Sequence, residues 1–357
     1  MTYRVIARRW RPRRFSEIVG QECVTRTLTH AIEQNRIAHA YLFAGSRGTG
    51  KTTMARLFAM ALNAPGKPTV DFDPDNPICA AIWQGTHLDV LEIDGASNNS
   101  VDEVRALREQ CIYVPAECRY RIFIIDEVHM LTNAAFNALL KILEEPPGHV
   151  KFIFATTDVQ KVLPTIVSRC LRFNFRPIPS ESIKKRLEEI SDAEGVIIEP
   201  GAIGAILRMA NGGMRDAQSM LEQMIAFCGK NICELDVLAM FALAGEDEIN
   251  TLVDALVIQD DKCALATVER WNRLSIDFPR ALGDVLEELQ RRLSVAVERD
   301  APERPTIVSI LNTLYGYERQ LQFAVSPETT FAVSLLLAIE NSRKRPIEKI
   351  MRTLSEL

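Results

Sequence analysis

The stretch Tyr41–Leu62, YLFAGSRGTGKTTMARLFAMAL, decides how the rest of this 357-residue chain is read. Its centre, Gly45-Ser46-Arg47-Gly48-Thr49-Gly50-Lys51-Thr52, has the spacing of a phosphate-binding loop. Ala40–Ala44, just before it, reads as a short buried strand. Thr53–Leu62, just after it, carries apolar residues at helical intervals and reads as a helix. Strand, glycine-rich turn and helix are the context this motif needs. The glycines let backbone amides crowd around phosphates at the positive end of the helix. Lys51 supplies a point charge for the outer phosphates, and the Thr52 hydroxyl is a natural magnesium ligand.

RYRIFIIDEVHML adds the hydrolytic half. Arg121–Ile125 reads as a buried parallel strand that ends in Asp126 and Glu127. In such sheets ligands lie beyond the carboxyl ends of the strands. Asp126 is placed to hold magnesium, directly or through water, and Glu127 to take a proton from the attacking water. The pair points to hydrolysis more than to phosphate binding alone. A third strand, Val150–Asp158, ends with Thr156 and Thr157, where a polar side chain can orient the water or sense the terminal phosphate. Between the two strands an amphipathic helix is expected over Asn133–Glu145, stopped by Pro146 and Pro147. Leu88–Ser97 adds another strand and loop. This alternation predicts an α/β fold with a parallel sheet covered on both faces.

Composition is that of a soluble globular protein, with 47% hydrophobic and 25% charged residues. No apolar run approaches the length of a membrane span, and the N-terminus lacks the apolar core of a signal peptide. The expectation is a cytoplasmic protein with no membrane partner. The eight cysteines form no CxxC pair, so they predict no thioredoxin-like or four-cysteine zinc site. A net charge of -5 argues against an overall coat for nucleic acid while leaving room for a local basic surface, such as Arg8–Arg14.

Two other arginines need a reason. Arg169 lies in PTIVSRCLRF, and Arg215 follows Gly212-Gly213 at the start of a helix. A cation there opposes the helix dipole unless an anion is near. From the residues alone, each is either anion-facing or an ordinary surface or paired arginine.

The ordered set GSRGTGKT, IIDEVHM, ATTD, SRC and GGMRDA resembles the AAA+ ATPase module of bacterial clamp loaders. YRVIARRWRPRRFSEIVGQE, ASNNSVDEVRALRE and FNALLKILEEPPGHVKFIFATTDVQKVLPTIVSRC narrow the resemblance to the gamma/tau family of DNA polymerase III. It is specific to about residue 225 and weaker beyond.

The resemblance implies roles. Gly45, Ser46, Arg47, Gly48, Thr49, Gly50, Lys51, Thr52 and Thr53 would hold ATP. Thr52 and Asp126 would hold magnesium, and Glu127 the hydrolytic water. Thr157 would be a sensor, Arg169 an arginine finger reaching a neighbouring subunit's ATP, and Arg215 a lid-domain sensor of its own subunit's nucleotide. Ala7, Arg11, Pro12, Val19 and Gln21 would meet the adenine end. The implied activity is ATP hydrolysis within the DNA polymerase III holoenzyme, opening a sliding clamp and loading it onto primer-template DNA. The implied partners are copies of the chain in a pentameric ring, delta- and delta-prime-type subunits, the clamp and the DNA, at replication forks in the nucleoid. Competing readings are a branch-migration type of AAA+ remodeller and a non-hydrolysing scaffold of a loader ring. The intact Lys51, Thr52, Asp126 and Glu127 speak against the scaffold.

The sequence departs from the family at its zinc module. Only Cys79 stands at a family ligand position; Ala64, Asp73 and Asn76 occupy the others. Ala64 offers no ligand atom and Asn76 a poor one, so zinc is not expected. The other conceivable donors around Cys79 are Asp71, Asp73, Asp75 and His87, and local packing by Ile82 and Trp83 would otherwise replace the metal. The chain also stops at Leu357 after a helical pattern, so it resembles the family's short form or a truncated one. The polymerase- and helicase-binding regions of the longer form are therefore not assigned to it.

The expected domains are a nucleotide-binding domain at 1–178, a helical lid at 179–243 and an all-α collar at 244–357. Within them, Ser180 is the expected helix cap, 201–207 a lid helix, and Pro302 and Pro305 a loop between collar helices. Arg105 and Arg108 either face DNA phosphates or pair with Glu103 and Glu109.

Overall fold

Five strands, β1 (Ala40–Gly45), β2 (Val90–Asp94), β3 (Arg121–Asp126), β4 (Val150–Thr156) and β5 (Leu171–Phe175), form one parallel sheet. The computed structural model describes residues 5–343. Residues 1–4, which include the first two of the opening YRVIARRW segment, and 344–357 lie outside the described residues. The strand order is β2-β3-β4-β1-β5, so the chain leaving β1 faces strands on both sides. That places the end of β1 at a switch point, where parallel sheets open a crevice for ligands. β4 is buried along its whole length and β1 nearly so, as expected for strands covered on both faces.

Alternation along each strand divides the core. Tyr41, Phe43, Ile122 and Ile124 pack on one face with Leu28 and Phe58. Leu42, Phe123, Ile125 and Phe152 pack on the other with Phe136 and Leu139. The helices follow in chain order: α1 (Ile6–Arg9), α2 (Glu22–Glu33), α3 (Lys51–Leu62), α4 (Pro77–Gln84), α5 (Val101–Gln110), α6 (Asn133–Glu144) and α7 (Pro164–Val167). Thr132 caps α6 by accepting from Ala135 N, and the helix ends one residue before the expected Glu145. β4 stops at Thr156, two residues earlier than expected, because Asp158 turns to cap the following turn.

Beyond the sheet come α8 (Ser180–Glu194), α9 (Pro200–Ala210) and α10 (Met214–Cys228). Pro179, not Ser180, stands at the cap of α8, and α9 runs past both ends of the expected 201–207. In α5, Arg105 pairs with Asp102 rather than Glu103, because the Glu103 carboxylate closes a capping box with Ser100.

The chain divides into two compact units. The first runs up to Ile198 and takes in Ile206–Ile232; the second joins Glu199–Ala205 to the chain from Cys233 on. The second is helical, including Glu246–Ile258, Asp261–Arg273, Phe278–Glu298, Arg304–Tyr315 and Pro327–Arg343, around Trp271, Phe278 and Phe331. Pro305 is not in the loop that was expected for it. It sits in the first turn of Arg304–Tyr315, where a missing N–H costs nothing. Among the described residues, no helix is long and apolar enough to cross a membrane.

Candidate nucleotide site

The phosphate loop is built as its glycines require. Gly48 has φ +76°, and a Cβ there would lie 2.9 Å from the Cα of Gly213. A side chain at Gly48 would therefore strain the backbone and push away the turn that starts α10. Gly50, at φ 99°, caps α3 and turns the chain into Lys51.

Lys51 is buried, and its Nζ donates to Gly45 O and Ser46 O, each at 2.9 Å. Burial pulls its pKa below the usual lysine value, while Glu127 and Asp126 act in the opposite sense. The Thr52 hydroxyl donates to Asp126 Oδ2 at 2.6 Å, and Asp126 Oδ1 accepts from Glu127 N at 3.0 Å. A hydroxyl beside a carboxylate is an oxygen set suited to magnesium.

Glu127 holds a left-handed backbone at φ 45°, uncommon for a side-chain-bearing residue. Its Oε2 accepts from Thr157 N at 3.1 Å and Thr157 Oγ1 at 2.9 Å. His129 Nδ1 lies 3.3 Å from the same oxygen and 2.9 Å from Thr156 Oγ1. The ends of β3 and β4 are thus tied through Glu127.

Lys51, Thr52, Asp126 and Glu127 border a cavity of about 790 Å³. One wall is the loop from Arg47 to Thr53 with Asp126 and Glu127; another includes Ala7, Arg11, Pro12 and Val19; α10 contributes Met214, Arg215 and Gln218. Lys51, Arg47, Arg11 and Arg215 give the cavity a cationic lining, and Asp126 and Glu127 place two carboxylates beside Lys51 and Thr52, as a magnesium-bound polyphosphate requires. Burial, and then Arg56, lower the Arg11 pKa to about 10, so it stays charged at neutral pH. Its Nε donates to Thr53 Oγ1 at 2.9 Å, and its guanidinium lies 5.5 Å from the Trp83 ring. The N-terminal segment is tied at both ends: Ile6 N donates to Glu222, Arg9 pairs with Glu194, and Arg13 donates to Pro74 O.

Several expected residues do not line the cavity. Gln21 is turned to the end of β5, donating to Arg176 O at 2.7 Å and accepting from Arg176 N at 3.2 Å, so it braces the loop instead of facing the cavity. Gly45 and Ser46 meet Lys51 from beneath, and Thr157 reaches the site through Glu127. Arg169 stands apart, bonded to Thr165 O and Glu144. Sequence reasoning missed Arg56 and Glu92, a bidentate pair at 2.6 and 2.8 Å on the cavity wall, and also His129. A charged Glu92 in the middle of β2 was the available signal.

The residues at the family's zinc positions do not fit zinc. Ala64 and Cys79 are buried among apolar side chains. Asn76 caps α4 by accepting from Ile78 N, Asp73 accepts from Asp75 N, and Asp75 pairs with Arg13. Among the described residues, His87, Asp89 and Cys118 bring ligand atoms within 4.8 Å of one another. The carboxylate and one ring nitrogen of this group already accept hydrogen bonds. Asp89 accepts from Ala116, Glu117 and Cys118 N, and His87 Nδ1 accepts from Asp89 N. That bond leaves the neutral ring's proton on Nε2, 3.6 Å from Cys118 Sγ.

Residues 20–179 match the family described as "DNA polymerase III, delta subunit", and 182–230 match "DNA polymerase III clamp loader subunit, ATPase lid domain". The chain is 43% identical over 286 residues to DNA polymerase III subunit tau of Bacillus subtilis, covering 80% of this chain and 51% of that one. It is 36% identical over 368 residues to subunit tau of Escherichia coli, covering 97% and 57%. With DNA polymerase III subunit gamma of Buchnera aphidicola it shares 39% identity over 289 residues, covering 81% and 80%. The chain thus spans just over half the length of the two tau subunits. Among solved structures, the Thermotoga maritima RuvB branch migration motor aligns over 70% of this chain and 79% of its own, at 19% identity and TM-score 0.47. That likeness is too loose to bear on function.

Proposed function

The chain belongs to the bacterial DNA polymerase III gamma/tau family, and from that premise we propose that it is the ATP-hydrolysing motor subunit of a replicative clamp loader. One observation carries the hydrolytic reading: Lys51, Thr52, Asp126 and Glu127 converge on one cavity, with Thr157 bonded to the Glu127 carboxylate. Lys51, Arg47 and Arg215 would hold the phosphates. Thr52 and Asp126 would hold magnesium, which neutralises charge on the outer oxygens when bound. Glu127 would take the proton of the attacking water, with Thr157 setting its direction. Ala7, Arg11, Pro12 and Val19 would meet the base.

Arg169, outside this cavity, would act on the nucleotide of a neighbouring copy, so that each subunit completes the next one's site. The division at 1–178, 179–243 and 244–357 belongs to the same proposal, with the last part joining copies and delta-type subunits into a ring. The ring would open a sliding clamp and release it on primer-template DNA.

The test is steady-state ATP hydrolysis by this chain reconstituted with its organism's loader partners and clamp, with and without primer-template DNA. Turnover stimulated by clamp and DNA, and cut to a small but measurable residual rate in Arg169→Ala while nucleotide binding persists, is expected. Turnover indifferent to the clamp and to Arg169 would move the reading to another AAA+ remodeller.

A further inference from the structure

Arg169 is held from two sides. Its Nη1 donates to Thr165 O and its Nη2 to Glu144 Oε1, each at 2.9 Å. Both partners stand on packed elements: α7 buries Ile166, and α6, which ends at Glu144, buries Leu139, Ile142 and Leu143. The direction of the guanidinium is therefore set by two helices anchored in the core, although the side chain itself keeps a third of its surface exposed.

Stability does not account for the Glu144 contact, because exposed ion pairs contribute about 0–1 kcal/mol. Orientation does. An unsupported arginine on the surface samples many rotamers, and fixing it on binding costs about 0.5–1.5 kcal/mol. A group that must meet a phosphate on another copy gains most from being set beforehand. The two bonds use one N–H on each terminal nitrogen and leave the remaining N–H groups to face an anion.

We propose that Glu144 is a positioning residue for Arg169, presetting its guanidinium for the nucleotide of the adjoining subunit. The inference rests on the trans role given to Arg169 above. Glu144 touches no substrate; it acts through Arg169 alone.

A double-mutant cycle in the reconstituted loader, with clamp and primer-template DNA, tests it. Glu144→Ala is expected to lower kcat about tenfold, with the KM for ATP and the affinity for a fluorescent ATP analogue within about twofold of the wild type. Glu144→Gln keeps an acceptor oxygen and is expected to recover part of the loss. In the Arg169→Ala background, Glu144→Ala should cost nothing further. Unchanged or faster turnover in Glu144→Ala overturns the proposal, as does an equal loss with and without Arg169. An Arg169→Ala loader that turns over normally removes the trans reading itself, and this inference with it.

Discussion

Thr52 and Asp126, 74 residues apart in sequence, meet hydroxyl to carboxylate at 2.6 Å where α3 begins and β3 ends. The contact joins the phosphate loop to the acidic strand end, and both oxygens face the same cavity. If the pair holds magnesium, Asp126→Asn keeps the shape and loses the charge. Hydrolysis should fall by about 100-fold or more. The affinity for a fluorescent ATP analogue without magnesium should stay within about twofold of the wild type, and the gain in affinity on adding magnesium should disappear. A full magnesium response in Asp126→Asn would show that the metal is held elsewhere.

Glu127 offers a different signature. A general base contributes about 10²–10⁴-fold, so Glu127→Gln should bind magnesium and nucleotide normally yet turn over at least about 100-fold more slowly. Thr157→Ala removes the hydroxyl from the Glu127 carboxylate but keeps the Thr157 N–H bond. Its expected loss is smaller, about tenfold in kcat with little change in KM. A larger loss in Thr157→Ala than in Glu127→Gln would assign the decisive contact to the threonine.

The phosphate loop and the acidic pair were legible because their chemistry is local. Gly48, Gly50, Lys51 and Thr52 act within one turn, and Asp126 and Glu127 follow directly on an apolar run. What escaped depends on strand order and side-chain direction. Gln21 lies close in sequence to Val19, yet it points to Arg176 rather than into the cavity. Arg56 and Glu92 belong to distant segments that only the adjacency of α3 and the sheet brings together. Ser180 looked like a cap by residue type, but Pro179 holds the extended backbone that the cap position needs. Arg169 was recognisable from its motif, while its partner Glu144 sits on another helix and carries no signal of its own.

The thiols provide a check on packing. Cys23 is exposed, whereas Cys79 and Cys111 are buried. Burial pushes the Cys111, Cys118 and Cys170 thiols up to about 12 and raises Cys79 as well. Only the thiolate attacks a disulfide reagent. At neutral pH, Ellman's reagent followed by peptide mapping should therefore label Cys23 first and leave Cys79, Cys111, Cys118 and Cys170 unlabelled until the protein unfolds. Rapid labelling of Cys170 in the native chain would mean that the turn carrying Arg169 opens readily.

Asp89 should make the region next to β2 sensitive to acid. Burial works against its charge, but three backbone N–H groups and Arg121 outweigh that and hold its pKa below the usual carboxylate value. A carboxylate depressed in the folded state contributes stability in full above its unfolded pKa of about 3.9, and loses it as pH falls through the lower folded value. Asp89→Asn exchanges that charge for an amide with one acceptor oxygen, leaving N–H groups of residues 116–118 short of a partner. At neutral pH the cost should be about 3 kcal/mol in urea unfolding, with faster hydrogen exchange at the Ala116, Glu117 and Cys118 amides. Once the pH has fallen below that folded value the wild type has lost the same contribution, so the two proteins should converge. A difference that stays constant as the pH falls would trace the loss to packing, and the carboxylate would then not be the group that holds this loop.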